Sequence, residues 1–275
     1  SCPPAALFWR GAQLSRKPWI AVVGTRKMTT YGKRACMQIV SELVQAGADI
    51  VSGMALGIDA CAHQAALDAN GQTAAILAGG LDQASLYPTS NQPLAERILL
   101  NKGALISEFP PGTKNLRHHF PQRNRLIATL AQAVVVVEAG LESGSVLTAK
   151  LALEENRDVF AVPGPIMNPG SFGVHDLLRQ GAQICTSGND VLANSRVEVK
   201  QSIPERPLTD DERRILDMCR TPAHIDELVR LLQSSPAVIG ATCTTLEMMD
   251  AIIETEAQTY QLTPKGRQML LPHFD

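Results

Sequence analysis

The sequence predicts an α/β protein: a doubly wound, Rossmann-like parallel sheet followed by a small C-terminal winged-helix domain. Three observations carry that expectation. Between Trp19 and Cys185, short apolar runs alternate with stretches of helical spacing, which implies right-handed crossovers and a parallel sheet covered on both faces. The alternation lapses from Asn194 to Pro207, a polar stretch broken by Pro204 and Pro207, and three helical segments and a hairpin pattern follow it. A chain of 275 residues with 45% apolar content is long for one domain and fits one large core plus a small one. The expected division is an extended Rossmann-like domain over 1–195, a linker over 196–207 and a winged-helix-like domain over 208–275.

The large domain is organised around Pro18 to Gly32, PWIAVVGTRKMTTYG. The apolar run Trp19 to Val23 reads as a buried parallel strand, Gly24 opens a polar, basic turn, and Gly32 to Ala46 has helical spacing. Open α/β sheets place ligands at the carboxyl end of such a strand. There Gly24 lets backbone approach a phosphate, Thr25 and Thr30 offer hydroxyls, and the amides opening the next helix add positive potential. The second and third glycines of G-x-G-x-x-G and the G-x-x-x-x-G-K-[ST] spacing are both missing, which disfavours an ordinary dinucleotide or ATP site.

Further strands are expected at Asp49–Ser52, Gln72–Leu77, Ala104–Ser107, Ala133–Val137, Asp158–Val162 and Gln183–Cys185. Helices are expected at Ile58–Asn70, Pro93–Asn101, Gln122–Ala131, Ser145–Glu155 and Gly173–Gln180. Beyond the linker, Thr209 caps a helix over Asp210–Cys219, followed by helices at Ile225–Leu232 and Pro236–Met249 and a hairpin from Ala251–Glu254 and Thr259–Leu262. The third of these helices contains no Lys or Arg and does contain Glu247, which argues against a groove-reading role and for protein contact or a structural part.

The net charge of −2 hides a division: residues 1–200 carry 18 Lys and Arg against 15 Asp and Glu, and residues 201–275 carry 7 against 12. No acid precedes Glu42, although Arg10, Arg16, Lys17, Arg26, Lys27, Lys33 and Arg34 do. A second acid-free window, Phe109 to Val137, holds Lys114, Arg117, Arg123 and Arg125 beside His118 and His119. Such windows mark either a localised polyanion site or two solvated surfaces. Six cysteines without a C-x-x-C pair point to a reducing cytoplasm and away from zinc. No apolar run of eighteen residues and no apolar leader is found, so a cytoplasmic protein without a membrane partner is expected. The start at Ser1 is what a fragment or a cloning scar would show, and a missing amino-terminal domain fits it.

The strings VVGTRKMTTYG, VSGMALGIDACAH, LISEFPPGT, FPQRNRLIATL, VVVVEAGLESGSVLTAKLALE and VFAVPGPIMNPGSFGVHDLLRQGA, in this order, resemble the bacterial DNA processing protein A (DprA/Smf) family from Leu7 to Leu192. The resemblance implies an extended Rossmann fold with a winged-helix tail, no cofactor and no catalysis. It also implies single-stranded DNA binding in natural transformation, protection of incoming strands, loading of the RecA recombinase, and a homodimer. Three positions depart from the usual pattern. Leu56, Gln122 and Glu142 stand where the family usually has a basic residue, so affinity is lower or the strand takes a different path.

The site residues expected to meet DNA phosphates are Gly24, Thr25, Arg26, Lys27, Gly53, Arg123, Asn124, Arg125, Ser143, Gly144, Ser145 and Lys150. Each has a bland alternative. Arg26 and Lys27 are otherwise solvated turn charges, and Arg123 and Arg125 are otherwise ion pairs to Glu108 or Glu138. Ser143 to Ser145 form an anion nest or an ordinary N-cap, and Lys150 is a strand contact or a solvated helix charge. Gly53 and Gly57 read as turn glycines, Asp59 as a helix-start charge, and His63 as a packed histidine. Phe120 either stacks on a base or anchors its loop. The competing function is a nucleotide hydrolase similar to nucleoside-monophosphate phosphoribohydrolases, with Glu138 or Glu142 as its acid. Against it, the loop E-A-G-L-E-S-G-S lacks that group's P-G-G-x-G-T, and neither acid has an obvious partner. A third reading is an interaction scaffold with a vestigial pocket.

Overall fold

A computed structural model describes residues 3–15, 17–194, 208–249, 251–263, 266 and 269–270; Arg16 and the expected linker over 196–207 lie outside them. The chain divides into two compact units, residues 1–200 and 201–275.

The first unit runs β1 (Phe8–Gly11), β2 (Trp19–Val23), α1 (Thr30–Gln45), β3 (Asp49–Ser52), α2 (Ile58–Asp68), β4 (Thr73–Leu77), α3 (Gln92–Leu100), β5 (Ala104–Ser107), α4 (His119–Leu130), β6 (Ala133–Val136), α5 (Gly144–Glu154), β7 (Asp158–Ala161), α6 (Phe172–Arg179), β8 (Gln183–Ile184) and α7 (Gly188–Asn194). The sheet order is β1-β5-β4-β3-β2-β6-β7-β8. Pairing is parallel from β5 to β8 and antiparallel only between β1 and β5. The chain starts its parallel sheet in the middle with β2, lays β3, β4 and β5 on one side, then returns to add β6, β7 and β8 on the other. The reversal between β2 and β6 leaves a crevice at the carboxyl ends of these strands, where doubly wound sheets bind ligands.

The central strands are buried on both faces, as continuous apolar runs require. Period-two alternation assigns the faces. Ala21, Val23, Val134 and Val136 pack with Leu126, Ile127, Val146, Ala149 and Leu177 from α4, α5 and α6. Ile20, Val22, Ala133 and Val135 pack with Ile39, Leu43, Ile58, Ala62 and Val191 from α1, α2 and α7.

The differences from expectation have local causes. β1 escaped the sequence reading because it is an exposed edge strand of four residues with no apolar alternation. α4 begins at His119, three residues before the expected Gln122, because Pro121 in a first turn removes only an N–H that has no helical partner there. α1 begins at Thr30, since the Thr29 hydroxyl accepts from Gly32 N and caps the helix.

The second unit comprises α8 (Asp210–Met218), β9 (Ala223–His224), α9 (Ile225–Leu232), α10 (Pro236–Met248), β10 (Ile252–Glu256) and β11 (Thr259–Leu262). Thr209 and Glu212 form a reciprocal capping box at the start of α8. The hairpin of β10 and β11 gains β9 as a third, two-residue strand in the order β10-β11-β9, which was too short to read as a pattern. Ile215, Leu216, Leu228, Ile239, Leu246, Ile252 and Tyr260 form its core. Three helices and this small antiparallel sheet are the winged-helix arrangement.

Candidate functional site

A cleft of about 280 Å³ lies at the carboxyl edge of the sheet, at the reversal between β2 and β6. Gly24 and Arg26 reach it from the β2–α1 loop, Ala55 and Asp59 from the start of α2, Phe120, Arg123 and Asn124 from α4, and Ser143, Gly144, Ser145 and Thr148 from the start of α5. A smaller hollow adjoins it, lined by Arg26, Gly53, Leu56, Tyr87 and Phe120.

Arg123 is the buried pin of this construction. Its guanidinium donates to the carbonyls of Gly53 and Ile76, and its Nε donates to Asn124 Oδ1 at 3.2 Å. Burial lowers its pKa to about 10, against the opposing pull of Asp59. Asp59, buried at the first turn of α2, has its pKa raised by desolvation, an effect that the positive charge of Arg123 and backbone donors at Ala55, Gly24 and Gly53 reduce. A Cβ at Gly53 would fall 2.5 Å from the Arg123 guanidinium and 2.6 Å from Asp59 Oδ2, so only glycine lets the two charges face each other there. Gly57, with φ of +81°, turns the chain into α2. The loops after β2 and β3, strand β4 and helices α2 and α4 are thereby fastened to one another.

On the open side, exposed Arg26 lies with its guanidinium 5.2 Å from the centre of the Phe120 ring, and Arg123 lies 5.9 Å from it. Cations over the ring face are held by its quadrupole. Tyr87 meets the same ring edge-on at 6.2 Å. Across the cleft, the Ser143 hydroxyl accepts from Ser145 N at 3.3 Å and pairs with the Ser145 hydroxyl at 2.7 Å. Asn124 Nδ2 donates to Gly144 O at 3.1 Å, tying α4 to this turn. The Thr148 hydroxyl donates to the same carbonyl. One wall therefore offers cations, and the other offers hydroxyls and the opening of a helix, which together suit an anion.

The amides at the start of α1 do not face this cleft as the sequence reading expected. Glu138, buried after β6, accepts from Thr29 N at 2.9 Å, from the Thr29 hydroxyl at 3.3 Å and from Asn168 Nδ2 at 3.3 Å. Its carboxylate sits against Gly32, where a mononucleotide phosphate would lie in an ordinary Rossmann site. The chain supplies its own anion to α1. Glu138 thus has the partners that the sequence did not reveal, and its oxygens are engaged.

The expected residues distribute as follows. Gly24, Arg26, Arg123, Asn124, Ser143, Gly144 and Ser145 line the cleft, and Gly53 lines the adjoining hollow. Thr25 accepts from Lys27 N at 3.2 Å and stays within its own turn, while Lys27 is exposed. Arg125 is ion-paired to Glu108, with both side chains 22% exposed, and is not among the lining residues. Lys150 is exposed on α5, also outside the lining. The sequence reading missed Val23, Ala55, Ile127 and Thr148 as lining residues. Thr148 had a readable signal, because it lies one turn after Gly144 on the same helix face.

His63 is fully buried on α2, its Nδ1 paired to the Thr73 hydroxyl at 2.6 Å, and burial followed by the Arg123 charge lowers its pKa to about 3. The unfolded chain binds a proton at about 6.5 where the folded one does not, so His63 removes stability as pH falls below that value. Thermal melts from pH 7 to pH 5 should lose roughly 2 kcal/mol from this group. His63→Asn should flatten the dependence, and an equally steep loss in the variant would contradict the assignment.

A cleft with cations on one wall and hydroxyls on the other, at the strand-order reversal of a doubly wound sheet, with a carboxylate at the start of α1 and a winged helix elsewhere in the chain, defines a Rossmann-like protein of the winged-helix-bearing class. The chain belongs to the DNA recombination-mediator protein A family, which residues 1–196 match, while residues 200–256 match the DprA winged helix domain. It is 45% identical over 192 residues to Protein Smf of Escherichia coli, covering 70% of this chain and 51% of that one. It is 44% identical over 195 residues to DNA processing protein DprA of Streptococcus pneumoniae, covering 69% and 66%. The chain thus spans about half to two thirds of these relatives. Among solved structures, the DprA of S. pneumoniae superposes with a TM-score of 0.65 at 40% identity, covering 70% of this chain and 67% of that one. DNA processing protein A of Helicobacter pylori, solved for its single-stranded DNA binding mode, gives 0.63 at 31% identity, covering 71% and 90%. The family's members are named as DNA-processing proteins rather than as enzymes. No described helix is long and apolar enough to cross a membrane.

Proposed function

We propose that the cleft binds the phosphate backbone of single-stranded DNA, as part of DNA uptake in natural transformation. One observation carries the reading: Arg26 and the Ser143–Ser145 turn face a common cleft while Glu138 fills the position of a mononucleotide phosphate. A strand passing through can exchange phosphates along this edge, whereas a single nucleotide finds its usual seat occupied. The ligand bound by the H. pylori relative supports the same reading. Titrating single-stranded and duplex oligonucleotides by gel shift, with AMP as competitor, tests it. Preference for the single strand and no competition by AMP are expected. Release of base from AMP would favour the phosphoribohydrolase reading, against which the engaged oxygens of Glu138 already weigh.

Protection of the strand and its transfer to RecA complete the proposal; RecA filament formation on an oligonucleotide coated by a single-strand binding protein tests the transfer. A homodimer is expected where Ile166 (79% exposed), Met167 (85%) and the edge-strand residue Ile184 (60%) leave apolar surface toward one end of the sheet. Light scattering that reports a monomer at micromolar concentration would contradict it.

The winged-helix unit is assigned no DNA contact, because α10 carries no cation and the tail is acidic. Truncation after residue 200 should leave oligonucleotide affinity unchanged or slightly higher as a repulsive field is removed. A tenfold loss with the large unit still folded would contradict this.

A further inference from the structure

Outside the cleft, the amino-terminal basic window leaves one feature without a role. α1 presents Tyr31, Arg34, Ala35 and Gln38 along one face, spaced i, i+3, i+4 and i+7. With Pro163 after β7 and Thr186 after β8, they line a separate hollow of about 200 Å³ at the same carboxyl edge of the sheet. Tyr31 is 46% exposed, and its hydroxyl donates to Pro163 O at 2.6 Å, which fixes an open aromatic ring at the rim. Arg34 is exposed and has no carboxylate partner among the described residues. Two carboxylates bond to residues of this rim, and their oxygens are occupied by those and neighbouring donors. Glu42 accepts from Gly188 N at 2.5 Å and from Gln38 Nε2 at 2.9 Å, and Asp190 accepts from the backbone and hydroxyl of Thr186 and from Ser187 N.

Resting on the single-strand reading, we propose that this hollow is a second subsite for the same strand, taking a phosphate on Arg34 and stacking a base on Tyr31. β2 and β7 are separated only by β6, so their ends lie about 10 Å apart along the edge. Exposed Lys27, on the loop between Arg26 and α1, lies on the way. A fixed ring beside an unpaired guanidinium is the combination that sequence-tolerant single-strand sites use, the ring meeting any base and the cation meeting the backbone. The strand then leaves the cleft over the start of α1.

Fluorescence anisotropy of the full chain with labelled oligodeoxythymidines of increasing length tests the subsite. Wild type should gain affinity when the strand outgrows the cleft. Tyr31→Leu and Arg34→Glu should each lose about tenfold for long strands and nothing for the shortest strand that binds. Tyr31→Phe, which keeps the ring but not the hydrogen bond, should restore length dependence. Equal losses at every length, or none at any length, would overturn the subsite while leaving the cleft reading in place. Wild type that binds no single strand would overturn both.

Discussion

Reversal of charge in Arg26→Glu is expected to abolish single-strand binding, by 100-fold or more, while leaving the melting temperature within about 2 °C of wild type. The side chain is exposed, and the cation over Phe120 is its principal contact, so the fold depends little on it. Binding depends on it twice. A glutamate removes one phosphate contact and sets a like charge in a cleft whose other cation, Arg123, is buried and already bonded; a phosphate contact and a repulsion of roughly 1.5 kcal/mol each make up the loss. Arg26→Ala should lose only the first part, about tenfold. Oligonucleotide titration of the folded variants decides it, and unchanged affinity in Arg26→Glu would contradict the cleft assignment.

The second large effect is on stability. Arg123→Met should destabilise the first unit by about 3–5 kcal/mol, the range for removing one member of a buried charged set. The carbonyls of Gly53 and Ile76 lose their donor, and Asp59 loses the charge that opposes its desolvation. The melting temperature should fall by roughly 10 °C, and oligonucleotide affinity should fall with it because the α2 and α4 loops are no longer fastened. A second substitution, Asp59→Asn, should recover part of the stability by removing the stranded charge. A normal melting temperature in Arg123→Met would show that the buried network does not hold the cleft together.

Arg26 and Arg123 also show how far the sequence could be read. Both were recognisable as cations at the ligand end of a doubly wound sheet, since apolar run, glycine and basic turn form a local pattern. Their opposite roles were not recognisable, because burial of Arg123 depends on carbonyls 70 and 47 positions away in the chain. Arg125 was legible as a cation two positions further along α4, yet its pairing with Glu108 follows from where β5 ends. Glu138 misled for the same reason: its donors Thr29 and Asn168 come from other crossovers. The parallel strands and their helices were legible because each is long enough to show its period, whereas the exposed edge strand β1 and the two-residue β9 show none.

The central claim is that this edge tracks a phosphate backbone. Its most direct test is the dependence of single-strand affinity on salt. If three to five phosphates are neutralised, log affinity against log salt should fall with a slope of about −2 to −3.5. Arg26→Ala should make the slope shallower by about 0.7. A slope near zero, or micromolar displacement of the oligonucleotide by AMP, would contradict the account.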